Sequence, residues 1–193
     1  MSPTCPAAEP TEWARRAFKV PTLWLLLDSD DDVAWQPAIY NPSMNSVDVA
    51  VSLVIGRGRS VVANYCCDPD NATEWYANIK TVRWETPKPL VLGSRFAFTA
   101  AFMGRTLRYT YQVVELEPGR RLVMRTAQDP FPMETTYTWD DEPTGNTRMT
   151  LRNRGEPAGF FRLLRPVMAM AISRATRGDL RRLRSILEGN PAL

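Results

Sequence analysis

The sequence predicts an α+β fold: a curved antiparallel sheet of seven strands, two short helices after the first strand, and one long C-terminal helix. Three observations predict it. Five segments, Ser94–Phe102, Thr106–Val114, Arg121–Gln128, Met133–Asp140 and Thr147–Arg154, alternate apolar and polar side chains, and alternation at period two buries one face of a strand and wets the other. The intervals between them are too short for a parallel crossover, so the strands must pair antiparallel. The 28-residue segment Phe160–Leu187 then carries apolar residues at gaps of three and four, one broad helical stripe. A curved sheet followed by such a helix can enclose a cavity.

The elements follow in order. Val47, Val49, Val51, Leu53 and Ile55 alternate with Asp48, Ala50, Ser52 and Val54 as the first strand. Ser60 is a candidate N-cap for a short helix from Val61 to about Cys67. Asp68-Pro69-Asp70-Asn71 breaks it, and Asp70 or Asn71 can cap a second short helix carrying Glu74, Trp75, Tyr76 and Ile79. Trp84 falls in the next strand, near Thr81–Thr86, which Pro87 and Pro89 end because proline donates no ladder hydrogen bond. Gly104, Pro118-Gly119, Asp129-Pro130-Phe131-Pro132 and Pro143-Thr144-Gly145-Asn146 are hairpin signals, glycine supplying positive φ and proline fixed φ. The helical stripe runs through Phe160, Leu164, Val167, Met168, Ala171, Ile172, Ala175, Leu180, Leu183 and Leu187. Pro166 should kink it or reset its start, Gly178 weakens it locally, and Gly189 and Pro191 stop it.

Composition bounds the function. At 193 residues the chain is long enough for one domain with its own core, and about 150 residues bury roughly 70% of the unfolded surface without a disulfide or metal staple. Cys5, Cys66 and Cys67 have no framework or zinc spacing, and read as small residues in a reducing compartment. Histidine is absent, which removes the commonest general base, the commonest metal ligand and every histidine-dependent triad. Arginine outnumbers lysine 21 to 3. Residues 1–43 carry three basic and six acidic residues, net −3, and the remainder 21 basic and 15 acidic, net +6. That balance is no nucleic-acid footprint. Nothing approaches the 18 apolar residues of a membrane span, and Leu23–Leu27 is too short for a signal segment. A cytoplasmic location is the expectation. Residues 1–43, punctuated by six prolines, are expected to be a disordered arm of the kind an upstream start codon would add, with the domain over 44–189 and a tail at 190–193.

Ile55 with Ser60-Val61, Asp68 before the break, Trp75, Gly93, Tyr111-x-Val113 leading to Glu117-Pro118-Gly119-Arg120-Arg121-Leu122, Gly145-Asn146-Thr147-Arg148-Met149-Thr150, and Asp179-Leu180 with Leu183 occur in a distinctive order. In these residues, over about three quarters of the chain, Val47–Leu187 resembles the START-like superfamily (SRPBCC), also called the polyketide cyclase/dehydrase and lipid-transport superfamily. The resemblance implies a helix-grip fold, with the sheet wrapped around the C-terminal helix and a pocket between them. It implies binding or transport of lipids, sterols, polyketides, quinones or hormones, with cyclisation or dehydration in a minority. It carries no universal catalytic motif, so it leaves activity open.

Strand parity gives the candidate ligand site. Phe96, Phe98 and Phe102, then Tyr109 and Tyr111 with Leu107, then Met124 with Leu122, then Thr135, Tyr137 and Trp139, then Asn153 with Met149 and Leu151, face inward. The helix adds Phe161, Leu164, Met168 and Ile172, and Trp75 and Trp84 can close one end. An ordinary core is filled mainly by Leu, Ile and Val, whereas rings with polar handles and adaptable methionines suit a concave apolar site. Burying about 300 Å² of apolar ligand surface contributes roughly 7 kcal/mol before association costs. The expected affinity is micromolar, with Tyr109, Tyr111, Thr135, Tyr137 and Asn153 setting orientation.

No cofactor and no metal is expected, and no catalytic residue is assigned: Glu134 and Asp48 have the wrong parity for the pocket. A cyclase would need a buried carboxylate or a tyrosine beside a cation. Gly56-Arg57-Gly58 mimics a dinucleotide fingerprint but lacks its third glycine and its crossover helix. Arg174, Arg177, Arg181, Arg182 and Arg184 form a basic helix face that could meet an anionic membrane surface or an acidic partner, while nucleic acid is not expected.

Overall fold

The structure, a computed structural model, describes residues 46–102, 105–126, 132–155 and 165–189. The expectations for 1–43, for the turns at Gly104 and Asp129–Phe131, for the helix start at Phe160–Leu164 and for the tail lie outside the described residues. The described elements are β1 (Val47–Ile55), α1 (Arg59–Cys66), a 3-10 turn (Pro69–Asn71), α2 (Ala72–Trp75), β2 (Ile79–Trp84), β3 (Arg95–Phe102), β4 (Arg105–Glu117), β5 (Arg121–Thr126), β6 (Met133–Asp141), β7 (Thr147–Gly155) and α3 (Arg165–Glu188).

All seven strands form one sheet in the order β1-β7-β6-β5-β4-β3-β2. Every neighbouring pair is antiparallel. Strands β2 to β7 meander, and β1 closes beside β7 in the register Val47↔Gly155 to Ile55↔Thr147. Two irregularities break the ladder, between Ile79 and Thr81 on β2 and between Val113 and Glu115 on β4. Bulges of this kind raise twist and bend a strand, which gives the sheet its concave face. The outer face carries cross-strand ion pairs, Arg152 with Asp48, Arg125 with Glu134 and Arg121 with Glu115.

Several sequence expectations are corrected. Gly58, not Ser60, is the N-cap of α1, without a side-chain hydrogen bond, and Ser60 lies inside the helix. Asp68 caps the 3-10 turn, its carboxylate accepting from the Asp70 N–H, while Asn71, one of the two expected caps, is the N-cap of α2 without a side-chain bond. Ile79 is not helical: Tyr76 turns to an extended conformation, and Ile79 opens β2 as a buried residue. Pro166 stands second in the described span of α3, and the expectation of a kink or a reset start there turns on residues outside the described ones.

The buried stripe of α3 also differs. Ala171 and Ala175 are exposed, and the buried positions are Met168, Thr176, Asp179, Leu180 and Leu183. The glycine–arginine segment after β1 has a structural task. The Gly56 N–H donates to Glu188 Oε1 at 2.6 Å and Arg57 Nε to the Leu187 carbonyl at 2.7 Å, satisfying an orphan carbonyl and tying the end of α3 to the end of β1. A side chain at position 56 would press on Glu188, whose Oε1 would lie 3.0 Å from a Cβ. The described part of α3 runs closest to β1 and α2. No helix among the described residues is long and apolar enough to cross a membrane.

Candidate functional site

The inner face carries one continuous core, and an aromatic wall forms part of it. The wall lies on β2, β3 and β4, away from the strand that α3 approaches most closely. Its rings are continuous: Trp84–Phe96 at 5.9 Å between centroids, Phe96–Phe98 at 5.2 Å, Phe98–Tyr109 at 5.9 Å and Tyr109–Tyr111 at 5.6 Å. Period-two alternation produces this, because Phe96 pairs with Tyr111 and Phe98 with Tyr109 across the β3–β4 ladder. Most contacts are edge-on or tilted, the arrangement ring quadrupoles favour. Phe96, Phe98 and Tyr111 are buried and Tyr109 half-buried. Trp84, also half-buried, is anchored at the sheet edge: its Nε1 donates to Asp70 Oδ1 at 2.8 Å, Asp70 pairs with Lys88, and the Lys88 ammonium lies 5.4 Å from the ring centroid.

The rest of the inner face belongs to the same core as Phe96, Phe98 and Tyr111. Trp75 stacks on Tyr76 at 3.9 Å and meets Tyr137, which in turn meets Trp139. Trp75, Tyr137, Trp139, Met124, Met149 and Leu151 belong to the continuous core with β1. Met168 is buried but stands apart from that core, and Ile172 is half-buried against it. Phe161 and Leu164 lie outside the described residues, as does the side chain of Phe102.

The inward polar groups are nearly all matched. Tyr76 and Tyr137 share a hydroxyl–hydroxyl bond of 2.7 Å. A chain of three bonds crosses the interior. The Thr135 hydroxyl donates its one proton to Asn153 Oδ1 at 2.9 Å, so Tyr111 donates to Thr135 at 3.0 Å, and Asn153 Nδ2 donates to Thr176 Oγ1 at 3.2 Å, joining sheet to α3. The Tyr109 hydroxyl makes no hydrogen bond to another described residue. Asp179, on the buried stripe of α3, accepts the Ala77 N–H at 3.0 Å through Oδ1. It is buried, as is the side chain of Asp48, which pairs with Arg152 on the outer face; among the described residues no lysine or arginine is buried.

A family model described as "Polyketide cyclase / dehydrase and lipid transport" matches residues 46–188. The chain belongs to this polyketide cyclase/dehydrase and lipid-transport family. Among solved structures it is similar to TTHA0849 of Thermus thermophilus, with 17% identity over 75% of this chain and 99% of the other and a TM-score of 0.64. It is similar to the aromatase/cyclase Zhui of Streptomyces sp. R1128, with 14% identity over 74% and 94% of the two chains and a TM-score of 0.62. A START superfamily protein of Mycobacterium smegmatis matches at 13% identity over 75% and 99%, with a TM-score of 0.60. No curated protein matches the sequence. These likenesses establish the helix-grip fold of the family.

Among the described residues the acid on the inner side is Asp179, which strand parity and hydropathy do not place in the site. A signal does exist in the sequence: an acid interrupts the stripe Met168, Ile172, Thr176, Leu180, Leu183 at helical spacing. Only apolar positions define such a stripe in a hydropathy reading, so the acid escapes it. Burial raises the Asp179 carboxyl from 3.8 to about 6, against the pull of the Ala77 N–H and of Arg182. Burial likewise raises Tyr76, Tyr109, Tyr111 and Tyr137, so all four phenols are neutral at physiological pH. It also pushes Cys67 up to about 11 and Cys66 up further, which leaves both thiols protonated and poor nucleophiles. Among the described residues no group of three or more potential metal ligands comes together.

The folded state holds the Asp179 proton more tightly than the unfolded chain does. Its contribution to stability is therefore full below about pH 3.8 and is lost as pH rises through about 6. Asp179→Asn keeps an oxygen for the Ala77 N–H. It is expected to stabilise the protein at pH 7.5 by on the order of 1–2 kcal/mol, allowing for solvent screening, and to match the parent at pH 4. Urea denaturation at the two pH values checks this; an equal difference at both would contradict it.

Proposed function

We propose that the protein binds or carries a small hydrophobic molecule, lipid-, polyketide- or quinone-like, between the concave face of the sheet and α3. The observation that carries this reading is the state of Tyr109. It is a half-buried phenol in the middle of a continuous ring wall, and its hydroxyl makes no hydrogen bond to another described residue, whereas those of Tyr76, Tyr111 and Tyr137 do. A ring wall carrying a phenol that bonds to no described residue suits an apolar ligand with one polar handle. The wall's distance along the sheet from β1, where α3 lies closest, supports room for that ligand. Native mass spectrometry of protein purified from its own host tests the reading. A retained lipid-like adduct is expected, lost or weakened in Tyr109→Ala or Met168→Ala; retention in both variants would discredit this placement.

Catalysis is a second reading, favoured by one observation. A buried carboxylate with a raised pKa, bonded to the Ala77 N–H next in sequence to the neutral phenol Tyr76, can exchange a proton with a bound carbonyl compound. Two solved neighbours are described as aromatase/cyclases, Zhui and the di-domain StfQ of the steffimycin pathway; this chain spans 52% of StfQ. On this reading Asp179→Asn abolishes turnover of a carbonyl substrate and leaves its binding intact.

The outward face of α3 supports docking to an anionic membrane. Met170, 68% exposed, and Arg174, Arg177, Arg181 and Arg184 fall along one line of the helix, opposite the buried stripe, with Arg182 exposed beside it. Unlike the sheet arginines Arg121, Arg125 and Arg152, the helix residues Arg174, Arg177 and Arg184 enter no ion pair with described residues. Basic residues near such a surface contribute about 1 kcal/mol each. Replacing Arg174, Arg177 and Arg184 together by alanine is expected to weaken binding to phosphatidylglycerol-containing vesicles at least about tenfold. Co-sedimentation checks it, and unchanged binding would dispose of the docking idea.

A further inference from the structure

The helix α3 carries a charge that its surroundings do not balance. Arg165–Glu188 holds six arginines and two acids, an excess of four positive charges. Of the two acids, Asp179 is turned inward onto the Ala77 N–H, and Glu188 accepts the Gly56 N–H at the helix end. The outer face of the sheet, by contrast, pairs Arg121 with Glu115, Arg125 with Glu134 and Arg152 with Asp48. The complementary charge lies earlier in the same chain. From Val20 to Ser46 there are four acids, Asp28, Asp30, Asp31 and Asp32, and no lysine or arginine. This arm joins the domain beside the helix. It leads into β1, the strand to which α3 runs closest. Asn153, the ladder partner of Val49, donates to Thr176 Oγ1 at 3.2 Å, which sets the Thr176–Arg177 turn near the start of β1. Asp32 stands 15 positions before Val47, a reach of up to about 50 Å. The 24 residues of α3 span about 36 Å, so every arginine of the face is within that reach.

We propose that the acidic run Asp28–Asp32 of this chain docks on the face of α3 that carries Arg174, Arg177 and Arg184, and competes there with anionic membranes. The competition rests on the membrane reading above; the docking does not. A tether of this length holds the acids near the face at an effective concentration in the millimolar range, which a separate acidic partner must exceed. Each exposed charge pair is weak and screened by salt, so the contact is a reversible cover and no part of the core. Anionic headgroups address the same guanidinium groups. The arm therefore lowers the affinity of the face for lipid until a surface dense in negative charge displaces it.

Carbodiimide cross-linking of the full chain carrying Arg177→Lys tests the docking. The substitution keeps the charge and supplies an amine, and the reagent joins a carboxylate to an amine only where the two touch. A peptide linking position 177 to one of the acids Asp28–Asp32 within a single chain is expected. Its yield should fall at least about threefold in about 1 M salt, where the Debye length is about 3 Å. Lys80 and Lys88, on β2 and in the turn after it, serve as internal controls. Links from the acids to these two lysines alone, links only between two copies, or no link to position 177 overturns the docking. Vesicle co-sedimentation tests the competition. Replacing Asp28, Asp30, Asp31 and Asp32 together by asparagine is expected to tighten binding to phosphatidylglycerol-containing vesicles about fivefold. Binding that the four substitutions leave unchanged overturns the competition. Vesicle binding without the cross-link overturns the arm's role and leaves the membrane reading standing. The cross-link without vesicle binding by either protein upholds the docking and overturns the membrane reading.

Discussion

Replacing Trp139 with alanine is expected to destabilise the protein by about 3–5 kcal/mol, whereas phenylalanine at the same position should cost under about 1.5 kcal/mol. Trp139 is 1% exposed on β6, packs against Tyr137 at 6.0 Å and joins the continuous core beneath β1. Alanine removes the whole indole from a close-packed interior and leaves a cavity. Phenylalanine removes less, and what it removes includes a liability. The indole N–H has no hydrogen-bond partner among the described residues, its polar neighbour being the Cys66 sulfur, a weak acceptor. Deleting an unsatisfied buried donor offsets part of the lost packing. Urea denaturation with an unchanged m-value measures both variants; equal costs would contradict the assignment of the indole N–H as unpaired.

Thr135→Val is expected to cost about 2–5 kcal/mol although it barely changes shape. Thr135 is the central link of the chain from Tyr111 through Asn153 to Thr176. Valine strands the Tyr111 hydroxyl and the Asn153 oxygen together, each at a desolvation cost of about 1–3 kcal/mol. Tyr111→Phe, by contrast, removes an end of the chain and leaves Thr135 still donating to Asn153, so it should cost about 1 kcal/mol. Denaturant midpoints of the two variants check the asymmetry, and a tyrosine variant as damaging as the valine one would refute donation from Tyr111 to Thr135.

These groups are legible in the sequence to different degrees, for physical reasons. β1 is legible to the residue, since strict alternation from Val47 to Ile55 fixes both its span and its face. For β4 the alternation stops at Val114, because the irregularity between Val113 and Glu115 breaks it there, while the strand continues to Glu117. Ile79 reads as helical because Trp75, Tyr76 and Ile79 satisfy helical spacing, and nothing local reports that the helix has only four residues. Ala171 and Ala175 fit the apolar stripe, but a methyl group carries too little hydrophobic free energy to fix a helix rotation that Leu180 and Leu183 decide. The Arg57–Leu187 latch joins residues 130 apart, and the Asp179–Ala77 bond residues 102 apart. No periodicity encodes such contacts. The aromatic wall is predictable because strand parity alone places Phe96, Phe98, Tyr109 and Tyr111 on one face; the buried acid of α3 is not, because it sits where a leucine would suit the pattern.

The central claim is that an apolar molecule lodges between that wall and α3. Equilibrium titration of the full chain with 1-aminoanthracene, a neutral ring system whose emission brightens out of water, tests it most directly. Saturable binding of one molecule per chain with a micromolar Kd, weakened at least about tenfold by Tyr109→Ala or Met168→Ala, is the predicted result. A linear, unsaturable response, or saturation untouched by either substitution, would contradict it.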